Sequence, residues 1–153
     1  MKFVAVEDVA APIALVWSHV ADLEAFEDRA RARIGAIQRR PPGPPAQGTV
    51  WSGKADVMGK KRDVTVTAAT IETWSRLTAE AATDGMQVNI DVDLAELGPR
   101  LTRLTVTTEA RARSLAARLM LQSAKLARKT LAKRYKGRIS DFAARIEKSA
   151  AKG

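Results

Sequence analysis

Four hydrophobic rhythms follow one another along the chain. Residues 2–9 alternate, with Phe3 and Ala5 on one face and Val4 and Val6 on the other, until Glu7 and Asp8 end the apolar stretch. With both faces partly apolar, this strand is expected to be covered on one side by the interior and on the other by a helix. Ile13, Val16, Trp17 and Val20 then recur at helical spacing behind Pro12, which suits the start of a helix. Asp22 breaks or caps the pattern, and Leu23 and Phe26 anchor a second short helix. Its exposed end is expected in Asp28-Arg29-Ala30-Arg31-Ala32-Arg33, where the dipole favours basic side chains.

Alternation returns from about residue 35 to 112. A strand-like segment around Ala36 to Arg40 runs into Pro41, Pro42, Gly43, Pro44 and Pro45, which carry neither ladder hydrogen bonds nor a helix. A rigid loop over a cavity mouth is the expectation there. Val50, Trp51, Ala55, Val57 and Met58 mark the next strand, then Val64, Val66, Ala68 and Ile71, then Leu77, Ala79 and Ala81. Asp84-Gly85 is a hairpin signal. Beyond it Met86, Val88, Ile90, Val92 and Leu94 alternate with Gln87, Asn89, Asp91 and Asp93, one face dry and one wet. A last strand carries Leu104, Val106, Thr108, Ala110 and Ala112. Short turns between sequential strands predict an antiparallel meander.

Residues 114–150 return to helical period, with Ser114 as N-cap. Met120, Ala124, Ala127, Leu131, Tyr135, Ile139, Phe142 and Ile146 share one face, which is expected to meet the sheet. Leu115, Leu119 and Leu126 lie nearly opposite, a second strip for the first helices, a second subunit (a homodimer) or a lipid surface. An unbroken helix of this length would span about 50 Å, so a kink or a frayed end is expected, with Gly137 as a candidate bend.

Charge sharpens the picture at that helix. Residues 1–113 hold 15 basic and 15 acidic side chains, whereas residues 114–153 hold 11 basic and 2 acidic, so the whole net +9 sits at the C-terminal end. Lys125, Arg128, Lys129, Lys133, Arg134, Lys136 and Arg138 suit phosphates, on a nucleic acid or an anionic membrane, without reading sequence. A solvated helix face is the simpler reading. Aromatic side chains interleaved with the basic ones, as a single-strand platform needs, are missing. With 153 residues, 46% of them apolar, the chain is expected to form one domain over 1–150 with a tail at 151–153. No cysteine, no signal-like N-terminus and no membrane-length apolar run lead to the expectation of a soluble, cytoplasmic protein.

Catalytic and metal chemistry finds little support. His19 is the only histidine, beside Trp17, and no nucleophile elbow accompanies it. Asp91 and Asp93 share a wet strand face and lack a calcium-loop pattern. Met58-Gly59-Lys60-Lys61-Arg62 lacks the spacing of a phosphate loop. No catalytic residue, metal ligand or cofactor is assigned. What remains is the interior. Trp51, Val66, Ala79, Ala81, Val88, Ile90 and Val106 point inward from the strands, and Ala124 and Ala127 face them from the helix. Small residues on both walls mean close packing or a hollow.

The segment Ala10-Ala11-Pro12-Ile13-Ala14-Leu15-Val16-Trp17, followed by Val20, Asp22, Leu23 and Phe26, resembles the opening of START-like (SRPBCC) proteins. The layout of one strand, two short helices, six strands and one long helix extends the resemblance over nearly the whole chain. It implies an α+β helix-grip fold, a seven-stranded curved antiparallel sheet wrapped around the C-terminal helix, with a cavity between them. After Phe26 the chain departs from the Trp-x-Pro-like segment common in that family.

Three functions are therefore expected, in order. The first is a carrier or sensor of an apolar or amphipathic small molecule, a lipid or polyketide-like one. Trp51, Val66, Ala79, Val88 and Ile90 would form one wall and Ala124, Ala127 and Leu131 the other. The second is a cyclase- or dehydrase-type enzyme in the same cavity, which requires a buried polar pair that the alternation does not demand. The third is a module docking on an anionic membrane or nucleic acid through Lys125, Arg128, Lys129, Lys133 and Lys136.

Overall fold

The computed structural model describes residues 1–57 and 59–152. Its frame is a seven-stranded sheet of order β1-β7-β6-β5-β4-β3-β2, antiparallel at every pairing. The strands are β1 (Lys2–Val9), β2 (Ile34–Arg40), β3 (Val50–Val57), β4 (Lys60–Glu72), β5 (Arg76–Thr83), β6 (Met86–Gly98) and β7 (Leu101–Ala112). Strands β2 to β7 form the meander that the alternation predicts, and β1 closes the order by pairing with β7. Met58, expected at the end of β3, lies outside the described residues, as does Gly153.

Local chemistry explains the turns and caps. At Asp84-Gly85 both residues take positive φ, 37° and 77°, the geometry that joins two twisted strands by a two-residue loop. The Asp22 carboxylate accepts from the Ala25 backbone N–H at 3.2 Å and starts α2 (Leu23–Ala30) just after α1 (Ile13–Val20). Ser114 Oγ accepts from Ala117 N at 3.1 Å and starts α3 (Leu115–Leu126).

The closing helix is broken, at Ala127 and not at Gly137. From Arg128 a separate helix, α4 (Arg128–Lys152), runs along β1 through Gly137 and on to Lys152. Contacts with β1 fix the start of α4. The Arg128 guanidinium donates to the Lys2 carbonyl at 3.3 Å and lies 5.6 Å from the Phe3 ring centre. Two turns further Tyr135 packs on Phe3, ring centres 5.6 Å apart, and donates its hydroxyl to the Val106 carbonyl at 2.9 Å.

The core gathers where α1 and α4 meet the β1 side of the sheet. Val9, Val16, Val20, Leu104, Val106, Ala143 and Ile146 are buried there. Phe3 and Ala5 turn to this side. Val4 and Val6 are exposed on the outer face of β1, so the strand is covered on one face and not on both as expected. Because α4 follows β1, it leaves β3, β4 and β5 without a helix packed directly on them.

Candidate functional site: an apolar cavity with a cationic mouth

That offset opens a partly open cavity of about 880 Å³ between the sheet, α2 and the middle of α4. Its volume lies within the ~300–1,000 Å³ usual for small-molecule sites. The floor is strand surface: Trp51 from β3, Val66 from β4, Ala79 from β5, Ile90 and Val92 from β6, and Val106 from β7. The register explains the room. Ala68 stands opposite Ala79, and Ala79 opposite Ile90, so two alanines share one cross-strand row under the cavity. At one end Gly53 lies beneath Ile34 and Ile37. A Cβ at Gly53 would sit 2.5 Å from Ile34 Cγ2, so the glycine is what lets β2 fold over the cavity.

Helices supply the roof. Leu23 and Phe26 descend from α2, Ile139 and Phe142 from α4. Phe26 and Phe142 meet at 6.0 Å between ring centres, with planes tilted by 36°. Arg29 lies 4.8 Å from the Phe26 ring centre, and Arg145 lies 5.8 Å from that of Phe142. Arginine, two aromatic rings and arginine thus bridge α2 and α4 across the mouth. Arg33 and Arg138 also line it, with Asp141 as the one exposed carboxylate. Among the described residues, none of Arg29, Arg33, Arg138 and Arg145 has a carboxylate within 4.0 Å.

The second charged feature lies deeper. Glu27 is buried, and its carboxylate accepts from Trp51 Nε1 at 2.8 Å, from Arg39 at 2.9 and 2.7 Å, and from Arg31 at 3.1 Å. Arg39 bridges onward to the Gly43 carbonyl at 2.6 Å. These donors, Arg39 first, hold the Glu27 carboxyl at a pKa of about 2 against an ordinary 4.5. The pairing raises the Arg39 guanidinium in turn. A carboxylate so saturated has almost no basicity near neutral pH, where a general base needs it. Its chemistry is that of a clamp, which ties α2 to β2 and β3 and closes one end of the cavity.

Of the residues expected to line a ligand site, Trp51, Val66, Ala79 and Ile90 converge on this cavity. Val88 and Ala81 are paired one row further along the sheet and do not line it. Ala124, Ala127 and Leu131 do not line it either. Ala124 belongs to α3, Ala127 is exposed at the helix break, and the helical wall is built from Ile139 and Phe142 about two to five turns later. The proline-rich stretch forms the β2–β3 connection, yet none of its prolines lines the mouth. Arg29 and Arg33, expected at an exposed helix end, are exposed there and also line the mouth.

Buried Glu27 and partly exposed Arg39 form a polar pair that the alternation did not demand. A signal for both was present. Glu27 follows Leu23 by four residues and precedes Ala30 by three, which sets it on the buried face of α2. Arg39 follows Ile37 by two, on the inward face of β2. The other candidates fall elsewhere. His19 is half-buried on α1 outside the cavity. Asp91 and Asp93 sit on the outer sheet face, 3.3 and 3.7 Å from Arg76. Among the described residues no group of three or more His, Cys, Asp or Glu is placed to hold a metal ion. Nor, among them, is any helix long and apolar enough to cross a membrane.

No family model and no curated protein matches the sequence. Solved structures match over nearly the whole chain. The Zhui aromatase/cyclase of Streptomyces sp. R1128 superposes with a TM-score of 0.65 at 17% identity, covering 96% of this chain and 93% of its own. A truncated norcoclaurine synthase of Thalictrum flavum gives 0.65 at 12%, covering 97% and 91%. A START superfamily protein of Mycobacterium smegmatis gives 0.56 at 18%, covering 92% and 97%. The chain therefore has the α+β helix-grip fold of START-like proteins, the fold that its opening motif and layout resemble. At these identities the likeness is one of fold.

Proposed function

We propose that this chain holds an amphipathic small molecule, its apolar body in the cavity and an anionic group at the arginine-lined mouth. The observation that carries this reading is the union of an apolar floor with four arginines that, among the described residues, have no carboxylate within 4.0 Å. Magnitudes assign the parts. Each 100 Å² of apolar area buried contributes about 2.5 kcal/mol, set against ~4–15 kcal/mol for lost freedom on association. A ligand must therefore bury several hundred Å², which only an extended or multi-ring apolar body does. Each exposed arginine adds about 0.2–1 kcal/mol, so the mouth orients the ligand and selects its head group more than it sets affinity. The fold is that of the aromatase/cyclase and START superfamily structures above, which supports a ligand-holding role. An enzymatic reading finds little support in Glu27, the buried carboxylate at the cavity, because its donors Arg39, Arg31 and Trp51 leave it little affinity for a proton.

The test uses a fluorescent fatty acid and its methyl ester, titrated at 20 mM salt. The acid is expected to bind about tenfold tighter than the ester, with the gap closing in 0.5 M salt. Ala79→Phe, which projects a ring into the cavity from its floor, is expected to weaken both at least tenfold while the far-ultraviolet dichroism stays unchanged. Unaltered binding by a folded Ala79→Phe protein would remove the cavity from the account. Equal binding of acid and ester at low salt would remove the anionic group.

A further inference from the structure

Helix α3 presents a surface that the cavity does not use. It buries Ala117 and half-buries Met120, Leu121 and Ala124 against the rest of the chain. At 3.6 residues per turn, Leu115, Leu119 and Leu126 fall within about 40° of arc on the opposite side. There they are 73%, 56% and 92% exposed, and no element among the described residues covers them. Arg118 and Lys125 flank the strip, and Arg113, Arg128 and Lys129 stand at its ends. No acidic side chain occurs between Glu109 and Asp141. Arg128 is turned toward Lys2 and Phe3, and Arg113 donates to Gln87. Arg118, Lys125 and Lys129 have no carboxylate within 4.0 Å among the described residues.

We infer that α3 is an interfacial anchor that docks this protein on an anionic lipid bilayer. Charge and apolarity together choose the occupant. A second copy would cover the leucines but bring two sets of uncompensated cations face to face. A nucleic acid would satisfy the cations and leave three leucines against a phosphate backbone. An anionic bilayer accepts both: leucine side chains enter the acyl boundary, and Lys and Arg sit among the head groups. With 12 residues α3 lies in the plane of the interface and does not cross it. The inference stands apart from the cavity reading, since α3 contributes no residue to the cavity lining.

Co-sedimentation of the full chain with vesicles tests it, using phosphatidylcholine alone and phosphatidylcholine with 30% phosphatidylglycerol. Binding to the anionic vesicles is expected to be at least tenfold tighter and to weaken several-fold between 50 and 300 mM salt. The double variant Leu119→Ser/Leu126→Ser changes only exposed side chains, so it is expected to fold normally and to lose at least tenfold in vesicle affinity. Lys125→Glu/Lys129→Glu is expected to abolish the preference for anionic vesicles. Binding of the serine variant equal to that of the unaltered chain would overturn the inference. So would a self-association in sedimentation velocity that the serine variant loses, which assigns the strip to a second copy. Tight binding to duplex DNA together with no binding to either vesicle would assign the basic surface to nucleic acid and overturn it equally.

Discussion

The indole Nε1 of Trp51 donates to the Glu27 carboxylate at 2.8 Å, joining β3, the strand beside the edge strand β2, to the roof helix α2. That bond couples shape to charge. Trp51 is a floor residue of the cavity, and its orientation depends on an ion pair formed between Glu27 and Arg39, twelve residues apart in the chain. Truncation at Glu27 leaves the half-buried Arg39 guanidinium and Trp51 indole N–H without that acceptor. Glu27→Ala is therefore expected to lower the unfolding free energy by about 3 kcal/mol, measured by urea denaturation. The Trp51 indole then loses its tether, so a change in tryptophan emission in the folded state should accompany the loss. An unchanged urea midpoint would show that the cluster adds nothing to stability.

Acid separates this cluster from the rest of the molecule. In the folded state Glu27 stays ionised down to about pH 2, whereas in the unfolded chain it takes its proton near 4.5. The unfolded state thus binds the proton first as pH falls. The contribution of Glu27 is full above about pH 4.5 and disappears as pH falls toward 2. Asp8, held low by Arg103, and Glu109, held low by Arg111, act in the same sense, so a fall in stability by itself does not isolate Glu27. The difference between the unaltered protein and Glu27→Gln does. It is expected to be constant from pH 7 to about 5 and to shrink between about 4.5 and 2, read as thermal midpoints. A difference that does not vary with pH would contradict the ionised clamp.

How much of this was legible in the chain depends on what each residue's position had to satisfy. The strand order, the Asp84-Gly85 hairpin and the Asp22 and Ser114 caps rest on local rules, and each element carries its own signal. The floor residues Trp51, Val66, Ala79 and Ile90 were legible for the same reason, because a period of two fixes the face of a strand. The helical wall was not. A periodic apolar stripe runs continuously from Met120 to Ile146, and nothing local tells which stretch of it faces the hollow. That depends on where α4 crosses the sheet, which the Arg128 and Tyr135 contacts with β1 and β7 decide at long range. The same holds for Arg138 and Arg145. Both sit at the edge of the core stripe beside Phe142, and a helix-edge arginine looks the same over solvent or over a cavity mouth.

The relocated wall has a direct consequence. Ala124 and Ala127, small and on the apolar stripe, were expected to face a ligand, yet neither lines the cavity. Ala124→Phe and Ala127→Phe are expected to bind the fluorescent fatty acid within twofold of the unaltered chain. Ile139→Ala, by contrast, widens the cavity at its roof and removes contact area, and is expected to weaken binding several-fold. Loss of binding in either phenylalanine variant, with the fold intact, would return the site to the α3–α4 junction.

Gly137 offers the cleanest test of the helix geometry itself. A glycine that accommodates a bend would take a conformation that alanine resists. Gly137 instead lies inside α4, ten residues beyond the break at Ala127 and exposed to solvent. A Cβ built on it meets no atom within 4 Å. Alanine there restricts the unfolded chain and adds no clash in the folded one. Gly137→Ala is expected to stabilise the protein by about 0.4–1 kcal/mol, seen as a higher thermal midpoint with ligand affinity unchanged. Destabilisation would mean that α4 bends at Gly137 in solution and that Arg138, the next residue, reaches the mouth only through that bend.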